Sequence, residues 1–555
     1  MAVSELAERL DEPAQETVVI AVRSLPAAFD PFSALDPWAR RIVDDALFEG
    51  LTRRDPRGAP WYSPVLAEEC RLELERSSTT VHCRLAEGHR FHDDSPVTPD
   101  DALFSVERWT RANAHALRAR HGLSSLREVT LLERIPTAGG ETAEPKGDVE
   151  PEMLPGPWLR LRFDRSEPLA LERIAAIKIV PRAAYSGQAR DLARAPIGSG
   201  PMKLEFVGDG RLVLEATEPA RVDERAPTRI VFRVLPDGAQ ALTLARRGEV
   251  DIVDSLAPLY VPDELAKPGM AARFHAVLLS PARYDLVIYN TRRGVLADPA
   301  LREALDGVLP REHIARALYR QPALASDAPV DRVGPIALDL AALAAGDLEA
   351  AHLVPRWTLE RPSAAVSEQR DAARQAAAAS ALDALHWPLD RGLRRRPGGN
   401  LRVPLMWDGS KGFGADITGA VREAWRSIGV QAPNVTASWS YLQQKPIREG
   451  TFDAVVARLA LASDADLYPY FHSDGRLNYS GVRDDALDAA LEAYRAAASV
   501  AERDAARETI AARVAALRVV SVLYAPLTAM LITRSLELPE FADDLPRLDR
   551  LRLRR

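Results

Sequence analysis

Short apolar runs alternate with amphipathic helical patterns along the whole chain. The apolar runs are TVVIAV, RIVFRV, YDLVIYN, LRVPLMW and FDAVVARL. Between them lie stretches with a helical period, such as ADITGAVREAWRSIG and DDALDAALEAYRAAA, and the first of these ends on Gly429, as a helix C-terminus commonly does. This alternation predicts an α/β fold with a mostly parallel sheet.

The segment CRLELERSSTTVHC, from Cys70 to Cys83, alternates apolar and polar residues on both sides of a short polar centre. This pattern predicts a β-hairpin with one apolar and one polar face. Folding it between Arg76 and Ser77 sets the two cysteines opposite each other on the apolar face, where opposed Cβ atoms lie ~4.5–5.5 Å apart. Either a disulfide or a pair of small buried thiols is compatible with this spacing.

The segment FHDDSPVTPDDALFSVERW (Phe91–Trp109) combines a turn with the start of a helix. Thr98 occupies the N-cap position, Pro99 the first helical position, and two aspartates follow near the positive end of the helix dipole. His89 and His92 have a spacing that could contact a metal, but they lie on a strand and a turn, with no cysteine or third histidine beside them in sequence. The sequence therefore favours a structural role for this segment.

Composition and charge are those of an ordinary soluble protein. The chain has 555 residues, 47% hydrophobic and 27% charged, and a net charge of −7. This length suggests several domain-sized units. Because the net charge is negative, we do not expect the chain to bind nucleic acid or anionic membranes through general electrostatic attraction. No apolar run reaches the ~20 residues that span a bilayer. The first residues lack a basic region and a long apolar stretch, so we expect no export signal in this sequence.

The sequence lacks the common motifs of covalent chemistry. It contains no GxxxxGK[ST] phosphate loop, no HExxH and no paired CxxC. The segment DGSKG, which begins at Asp408, has aspartate where a nucleophile elbow requires glycine. We therefore predict a protein that is not an enzyme and that carries no cofactor and no metal ion.

Seven segments lie in a recognisable order along nearly the whole chain. They are LFEGLTRRDPRG, FHDDSPVTPDDALFSVERW, APIGSGPMKL, RIVFRVLPDGAQALTLARRGEVDIVD, YDLVIYNT with DPALREALDGVLPREHI, LYPYFHSDGRLNYSGVRDDALDAALEAYRA and AERDAARETIAARVAALRVVSVLYAP. Together they resemble the family 5 extracellular solute-binding proteins, the peptide- and nickel-binding components of ABC importers. Each segment alone is a weak signal, whereas their common order makes the resemblance specific.

The resemblance implies an α/β, two-lobed fold like that of periplasmic binding proteins, of type II and similar to cluster C. An extra subdomain is expected as an insert in the first lobe. The expected division is residues 1–49, 195–285 and 515–555 for the first lobe, 50–194 for its inserted subdomain, and 286–514 for the second lobe.

Proteins of this family bind one solute in the cleft between lobes, which close by hinge motion. The resemblance thus implies a solute-binding component of an ABC-type importer, capturing a peptide or another small polar solute and delivering it to a permease. It also implies a monomer, located in the periplasm or at the cell surface, with no nucleic-acid partner. Because no export signal is expected, a cytoplasmic location stays open, as does a ligand-sensing regulatory protein that retains the fold without transport.

In peptide-binding members of the family, an aspartate in a W.ADY.dP segment pairs with the α-amino group of the ligand. The corresponding run here, VVARLALASDADLYPYFHS, places that position near Leu459 or Ala462, and neither is acidic. Asp464 and Asp466 lie nearby and either substitute for the aspartate or cap the helix that follows. This departure weighs against free-peptide binding, and an arginine such as Arg458 could instead select an anionic solute.

Further ligand-binding candidates follow from their positions in the family pattern, at strand ends and in the loops after them. They are Phe32, Tyr289, Asn290, Trp407, Ser410, Trp439 and Tyr441. Aromatic walls with a few polar groups suit solute pockets, but each of these aromatic residues could equally belong to the core.

Overall fold

The structure, a computed structural model, describes most of the chain. The described residues are 16–33, 35–137, 153–187, 193–217, 223–256, 264–267, 269–279, 283–319, 326, 328–329, 335–347, 364–410, 413–459, 466–542 and 545–554. Within these ranges, no helix combines the length and the apolar character needed to cross a membrane.

The described residues divide between two compact units. The first unit takes in the chain up to Ser255, the short segment Ala498–Val500 and the residues from Leu531 onward. The second unit takes in Leu256–Ala497 and Ala501–Met530. The lobe boundaries expected from the sequence lie elsewhere, after residues 285 and 514, and the assignment of the intervening segments to a lobe stays a prediction.

The main sheet of the first unit is built around the buried strand Thr17–Val22. This strand lies parallel to both of its neighbours, Arg229–Val234 and Ile252–Leu256. Residues 202–216 continue the sheet as an antiparallel hairpin. Its turn, Asp209–Gly210, has φ angles of 49° and 72°, the left-handed conformation that tight hairpins require. The expectation of a mostly parallel sheet is therefore wrong, because short hairpin connections reverse the chain within the sheet.

The residues at the far end of the chain return to the first unit and close it. The backbone N–H of Thr533 donates to the carbonyl of Asp251. Farther on, the backbone N–H of Leu548 donates to the buried carboxylate of Asp45 at 3.0 Å, and Leu551 is fully buried. The first unit is thus completed by segments that are hundreds of residues apart in sequence.

The first unit contains a second, four-stranded antiparallel sheet. Its strands, in order, are Ala67–Leu74, Thr79–Leu85, Met153–Phe163 and Leu126–Pro136. The predicted hairpin is present with the predicted register, which pairs Cys70 with Cys83. The two cysteines are joined by a disulfide, with their Cα atoms 4.1 Å apart. The apolar face does not extend to the tip of the hairpin, because Leu74 is half exposed.

The helix Pro99–Thr110 packs against this sheet and begins as the sequence predicts. The Thr98 hydroxyl accepts a hydrogen bond from the N–H of Asp101, and the Asp101 carboxylate accepts one from the N–H of Thr98 at 2.9 Å. This reciprocal capping satisfies two backbone donors that a helix start otherwise leaves unpaired. The apolar side of the helix enters the core through Ala102, Val106 and Trp109.

His92 has a structural role. Its Nδ1 accepts a hydrogen bond from the N–H of Gly198 at 3.3 Å, so its Nε2 carries the proton and donates to the carbonyl of Gly200 at 3.1 Å. Burial lowers the pKa of His92, which favours this neutral form. A Cβ on Gly198 would lie 1.9 Å from the carbonyl oxygen of Leu47, so the GSG loop needs glycine to approach its neighbour this closely.

The central sheet of the second unit has five strands. In spatial order they are Asn434–Ala437, Leu405–Asp408, Ala454–Leu459, Tyr284–Tyr289 and Val520–Tyr524. The strand Leu405–Asp408 is parallel to both neighbours, whereas Tyr284–Tyr289 is antiparallel to both. This sheet is therefore mixed as well.

The helix Phe413–Ser427 covers the sheet of the second unit. It places Val421 and Trp425 in the hydrophobic core, and the indole N–H of Trp425 donates to the carbonyl of Leu305 at 3.1 Å. The helix ends before Gly429, whose φ of 83° is the left-handed conformation expected of a helix C-terminal glycine.

The remaining elements complete the two units. The other strands of the first unit are Thr52–Arg54, Tyr62–Pro64, Met202–Gly208, Arg211–Ala216, Phe541–Ala542 and Leu545–Pro546. Its other helices are Pro37–Ile42, Val43–Leu47, Ala112–Ala114, His115–Arg120, Ala170–Arg173, Ile174–Ala176, Arg182–Tyr185, Gly238–Arg247 and Leu548–Arg550. The other strands of the second unit are Phe274–Leu279, Ile336–Leu338, Leu389–Asp390, Leu393–Arg396 and Gly399–Asn400, and Thr528–Thr533 contains the last passage of the chain between units. The other helices of the second unit are Met270–Arg273, Val295–Ala297, Pro299–Gly307, Arg311–His313, Ile314–Tyr319, Leu340–Ala344, Ala364–Ala384, Trp439–Leu442, Gln443–Ile447, Tyr468–Phe471, Asp485–Ala496 and Val500–Leu517.

Candidate functional site

The five-stranded sheet of the second unit gathers several candidate residues at one end. Leu405–Asp408, Asn434–Ala437, Ala454–Leu459 and Val520–Tyr524 run in the same direction and finish there, while the antiparallel strand Tyr284–Tyr289 begins there. We call this the carboxyl end of the sheet. Loops at the carboxyl ends of parallel strands are where α/β sheets commonly bind ligands.

Asp285, the second residue of its strand, lies among these strand ends and is fully buried. It stands opposite Arg458 on one neighbouring strand and Tyr524 on the other. The Arg458 guanidinium binds both carboxylate oxygens, with Nε donating to Oδ1 at 2.6 Å and Nη2 donating to Oδ2 at 2.9 Å. Because a buried carboxylate is costly unless it is paired, this bidentate contact compensates the burial of Asp285.

A second guanidinium and a phenol complete what we call the arginine cluster: Arg283, Asp285, Tyr319, Arg458 and Tyr524. Arg283 Nη2 lies 3.5 Å from Asp285 Oδ2. Tyr319 donates its hydroxyl to Asp285 and stacks on Tyr524, with ring centres 4.1 Å apart. Burial and the hydrogen bond to Asp285 raise the pKa of Tyr319 to about 12, so the phenol stays a neutral donor. Two cations therefore face one anion beside a pair of stacked rings.

The cations of the arginine cluster reach solvent and its anion does not. The side chains of Arg283 and Arg458 are 36% and 30% exposed, against 0% for Asp285. Of this cluster, Arg458 alone was a candidate from the sequence. The available signal for the rest was a lone aspartate inside the apolar run YDLVIYN, preceded two residues earlier by an arginine.

Trp407 and Ser410 lie at the carboxyl end as well. Trp407 is partly buried and donates its indole N–H to Asn434 Oδ1 at 2.9 Å. Ser410 is exposed, and its hydroxyl donates to Asp408 Oδ1 at 2.7 Å. Trp407 is thus held by the adjacent strand and Ser410 by the last residue of its own strand, and both side chains remain partly accessible to solvent.

Trp439 and Tyr441 follow the strand Asn434–Ala437 in a short helix. Trp439 packs its ring edge-to-face against Tyr479, with ring centres 6.2 Å apart, and Gln443 donates to the Tyr479 hydroxyl at 2.7 Å. Tyr441 is 51% exposed. The arrangement forms an aromatic surface beside the strand ends, and Tyr441 is its most accessible member.

Asp466 serves the local structure of the segment around it. Its carboxylate binds Arg495, with the closest contact at 2.6 Å, and accepts the backbone N–H of Tyr468 at 3.2 Å. The helix Tyr468–Phe471 has Leu467 at its N-cap position, without a side-chain cap. Which of the two roles considered from sequence Asp466 has, substitute anchor or helix cap, stays a prediction. Asp464 lies outside the described residues.

Tyr289 and Asn290 lie at the opposite end of the sheet, because their strand runs antiparallel to its neighbours. Tyr289 is fully buried, and its hydroxyl shares a hydrogen bond of 2.9 Å with Ser521. The buried Asn290 amide donates to the carbonyls of Gly450 and Phe452, at 2.9 and 2.7 Å. Both side chains hold the core and its loops together, and they do not enter the function proposed below.

Phe32 belongs to the first unit, in the loop after the strand Thr17–Val22. The guanidinium of Arg108 lies over its ring, with Cζ 4.1 Å from the ring centre. The residues on either side of Phe32, Pro31 and Ser33, help to line a small pocket, whose wall also carries an ion pair between Asp44 and Lys178 at 3.2 Å. Phe32 itself packs against arginine beside this polar cavity.

The described part of the chain contains no group of three or more His, Cys, Asp or Glu side chains placed to hold a metal ion. The geometry offers instead a surplus of guanidinium groups, aromatic faces and short polar side chains at the carboxyl end. These groups can bind a solute through charge, stacking and hydrogen bonds.

Comparison with known proteins assigns the family. The family described as bacterial extracellular solute-binding proteins, family 5 Middle, matches residues 62–478, well over half of the chain. No curated protein sequence matches the chain.

Solved structures confirm the fold. HbpA2 from Haemophilus parasuis is similar with a TM-score of 0.64 at 16% identity, over 97% of this chain and 100% of that one. The nickel ABC transporter from Bacillus halodurans gives 0.61 at 16% identity, over 97% and 100%. The oligopeptide-binding protein AppA from Bacillus subtilis, in complex with a nonapeptide, gives 0.55 at 19% identity, over 97% and 99%. The fold is the expected α/β, two-lobed, type II fold of periplasmic binding proteins, and the chain belongs to the bacterial extracellular solute-binding proteins of family 5.

Proposed function

We propose that the protein is the solute-capturing component of an ABC-type importer. It binds a peptide or another small polar solute between its two lobes, closes over the solute by hinge motion and delivers it to a permease. It acts as a monomer and catalyses no reaction. Membership of family 5 is the observation that carries this proposal.

The side chains at the carboxyl end of the second unit support a binding role. Partly exposed guanidinium groups and the aromatic residues Trp407, Trp439 and Tyr441 lie at this same end of the sheet. A small number of fixed polar groups among aromatic faces is the usual composition of a solute pocket.

The disulfide between Cys70 and Cys83 supports a location outside the cytoplasm. Disulfides persist in oxidising compartments and are rare in the reducing cytoplasm. Trapping thiols with a maleimide in intact cells of the source organism tests this location. Unlabelled cysteines that become reactive only after reduction are expected, and labelling without reduction contradicts it.

Native mass spectrometry of the protein purified from its host tests the proposed function. The expected spectrum shows one chain carrying a discrete additional mass, which denaturation releases for identification. A bare chain, together with no thermal stabilisation by a library of short peptides and small polar metabolites, contradicts solute capture and leaves only the family assignment.

A further inference from the structure

We infer that the four-stranded sheet of the first unit carries an anion-binding site on its outer face, in which Arg71, His82 and Arg160 hold a carboxylate or a phosphate group. The inference goes beyond the proposed function, because this site does not depend on the capture of a solute between lobes.

The first argument is the register of the sheet. Backbone pairing sets Arg71 directly opposite His82, and His82 directly opposite Arg160. Residues that are opposite each other on neighbouring strands place their side chains on the same face. The residues on either side of His82, Val81 and Cys83, point the other way and lie in the hydrophobic core. Arg71, His82 and Arg160, which we call the histidine row, therefore share the outer face, with the histidine between two arginines.

The second argument is a buried ring nitrogen. His82 is 5% exposed, and its Nδ1 has no hydrogen-bond partner among the described residues. Burying a polar group without a partner is costly, and His92 in the same unit has partners for both of its ring nitrogens. The oxygen of an anion beside Nδ1 would accept the hydrogen bond that the ring of His82 otherwise lacks.

The third argument is the electrostatic potential at the histidine row. Burial, and after it the charges of Arg160 and Arg71, lower the pKa of His82 to about 4. Among the described residues, the charged groups that face His82 are Arg71 and Glu73 from one neighbouring strand and Arg160 from the other. The carboxylate of Glu73, 3.6 Å from Nδ1, does not offset the two arginines. The potential there is therefore positive, although the whole chain has a net charge of −7.

The two arginines are restrained and keep groups available for an anion. Arg160 donates through Nε to the hydroxyl of Thr130 at 3.1 Å, an uncharged acceptor. Arg71 donates through Nε to Glu69 at 2.7 Å, and its Cζ lies 5.6 Å from the ring centre of Trp158. The side chain of Arg71 is still 35% exposed. Because the planar fork of a guanidinium matches the oxygens of a carboxylate or a phosphate, this arrangement suits either anion.

The competing explanation is that Glu73 is the only anion that the histidine row requires. In that case, an added anion leaves the ring of His82 unchanged. The response of this ring to anions therefore separates the two explanations.

NMR spectroscopy of the full chain, labelled with ¹³C at its ten histidines, tests the inference. The signals of His82 are assigned with the variant His82→Gln. The probes are inorganic phosphate, glutarate and pentaglutamate at pH 7.5, with the ionic strength held constant by sodium chloride. We expect saturable shifts of the His82 signals. Shifts with phosphate or glutarate identify a free small anion, whereas shifts with pentaglutamate alone identify an acidic segment of a partner protein, and both support the site.

Proton binding by His82 gives a second readout, which a purely structural role would not change. An anion between the two arginines counteracts their effect on the ring. Inorganic sulfate, whose charge is constant over this range, is therefore expected to raise the midpoint of the His82 titration by about one pH unit or more. By linkage, sulfate binds more tightly as the pH falls towards about 4. His82→Gln is expected to lose this pH dependence.

Two substitutions link the site to its arginines. Arg160→Gln removes one charged partner of the anion and is expected to weaken binding about 10-fold, whereas Arg160→Lys recovers part of the loss. The matched control is Arg127→Gln in the same sheet, because Arg127 is 43% exposed and lies 2.7 Å from the carboxylate of Asp164. Arg127→Gln is expected to bind like the wild type.

Each contrary outcome has a distinct meaning. His82 signals that no probe shifts overturn the inference. Equal binding by Arg160→Gln and Arg127→Gln, or a His82 titration that sulfate leaves unchanged, overturns the assignment to the histidine row. None of these outcomes bears on solute capture, which the native mass spectrum tests separately.

Discussion

At the scale of single residues, the buried ion pair between Asp285 and Arg458 makes a testable contribution to the stability of the second unit. Replacing Arg458 by methionine leaves a carboxylate buried without its bidentate partner. Removing one partner of a buried pair commonly costs several kcal/mol, so we expect Arg458→Met to lower the free energy of unfolding by about 3 kcal/mol in urea denaturation.

The double variant Asp285→Asn, Arg458→Met is the control for that loss. Once the buried charge is gone, its desolvation cost is gone too, so the double variant is expected to recover stability relative to Arg458→Met. Strictly additive losses from the two substitutions would contradict the pairing described here.

A second prediction at this scale concerns Asp45 in the first unit. Burial raises the pKa of Asp45 to about 6, although the neighbouring Arg41 opposes the shift. An unfolded aspartate titrates near ~3.9, so the folded state binds the proton more tightly and loses stability as the pH rises from about 4 to 6. We expect the free energy of unfolding to fall by about 2 kcal/mol more in the wild type than in Asp45→Asn between pH 4 and pH 7. Parallel pH profiles of the two proteins would disprove this.

Sequence reasoning at the residue scale succeeded where the partners are close in the chain. Thr98 and Gly429 were correctly predicted as caps, because a helix end is decided by its own few residues. Asp285 was missed because its partner is 173 residues away in sequence. Such a pair depends on which strands become neighbours, and no local pattern contains that information.

At the scale of elements, the reciprocal capping by Thr98 and Asp101 at the start of the helix Pro99–Thr110 can be tested directly. Thr98→Ala removes the hydroxyl acceptor of the Asp101 N–H, and the loss of an N-cap side chain typically costs about 1 kcal/mol. Chemical denaturation is expected to show this loss for Thr98→Ala and near-wild-type stability for Thr98→Ser. Thr110→Ala, at the other end of the same helix, is the control, and an equal effect of the two alanine substitutions would refute a specific capping role.

The elements themselves were largely predictable, whereas their directions were not. The hairpin with opposed Cys70 and Cys83 follows from periodicity. The direction of Tyr284–Tyr289 does not, because periodicity is the same for a strand that runs either way. Because this strand runs antiparallel to its neighbours, Tyr289 and Asn290 lie at one end of the sheet and Asp285 lies at the other.

At the scale of the whole molecule, the proposed function predicts a change of shape with ligand. Small-angle X-ray scattering of the protein with its co-purified solute, and after removal of the solute by denaturation and refolding, is expected to show a smaller radius of gyration in the bound form, because hinge closure brings domains together. Superimposable curves from samples of verified occupancy would argue against closure.

Family and fold class could be predicted from the sequence because motifs in a common order remain recognisable where overall identity is low. The boundaries between units were harder to predict. The chain passes between units several times, near Ser255, around Ala498–Val500 and near Met530, and the last passage falls inside a strand whose apolar pattern continues across it.

The return of the distant C-terminal segments to the first unit has a consequence for biosynthesis. The strand Thr17–Val22 leaves the ribosome early, but the contacts of Thr533 and Leu548 that close its unit are made only after more than 500 further residues. At roughly 5–20 residues per second, that delay amounts to about half a minute or more. During this interval, the growing chain lacks the segments that complete its first unit, so that unit stays incomplete and accessible to chaperones until synthesis is nearly over.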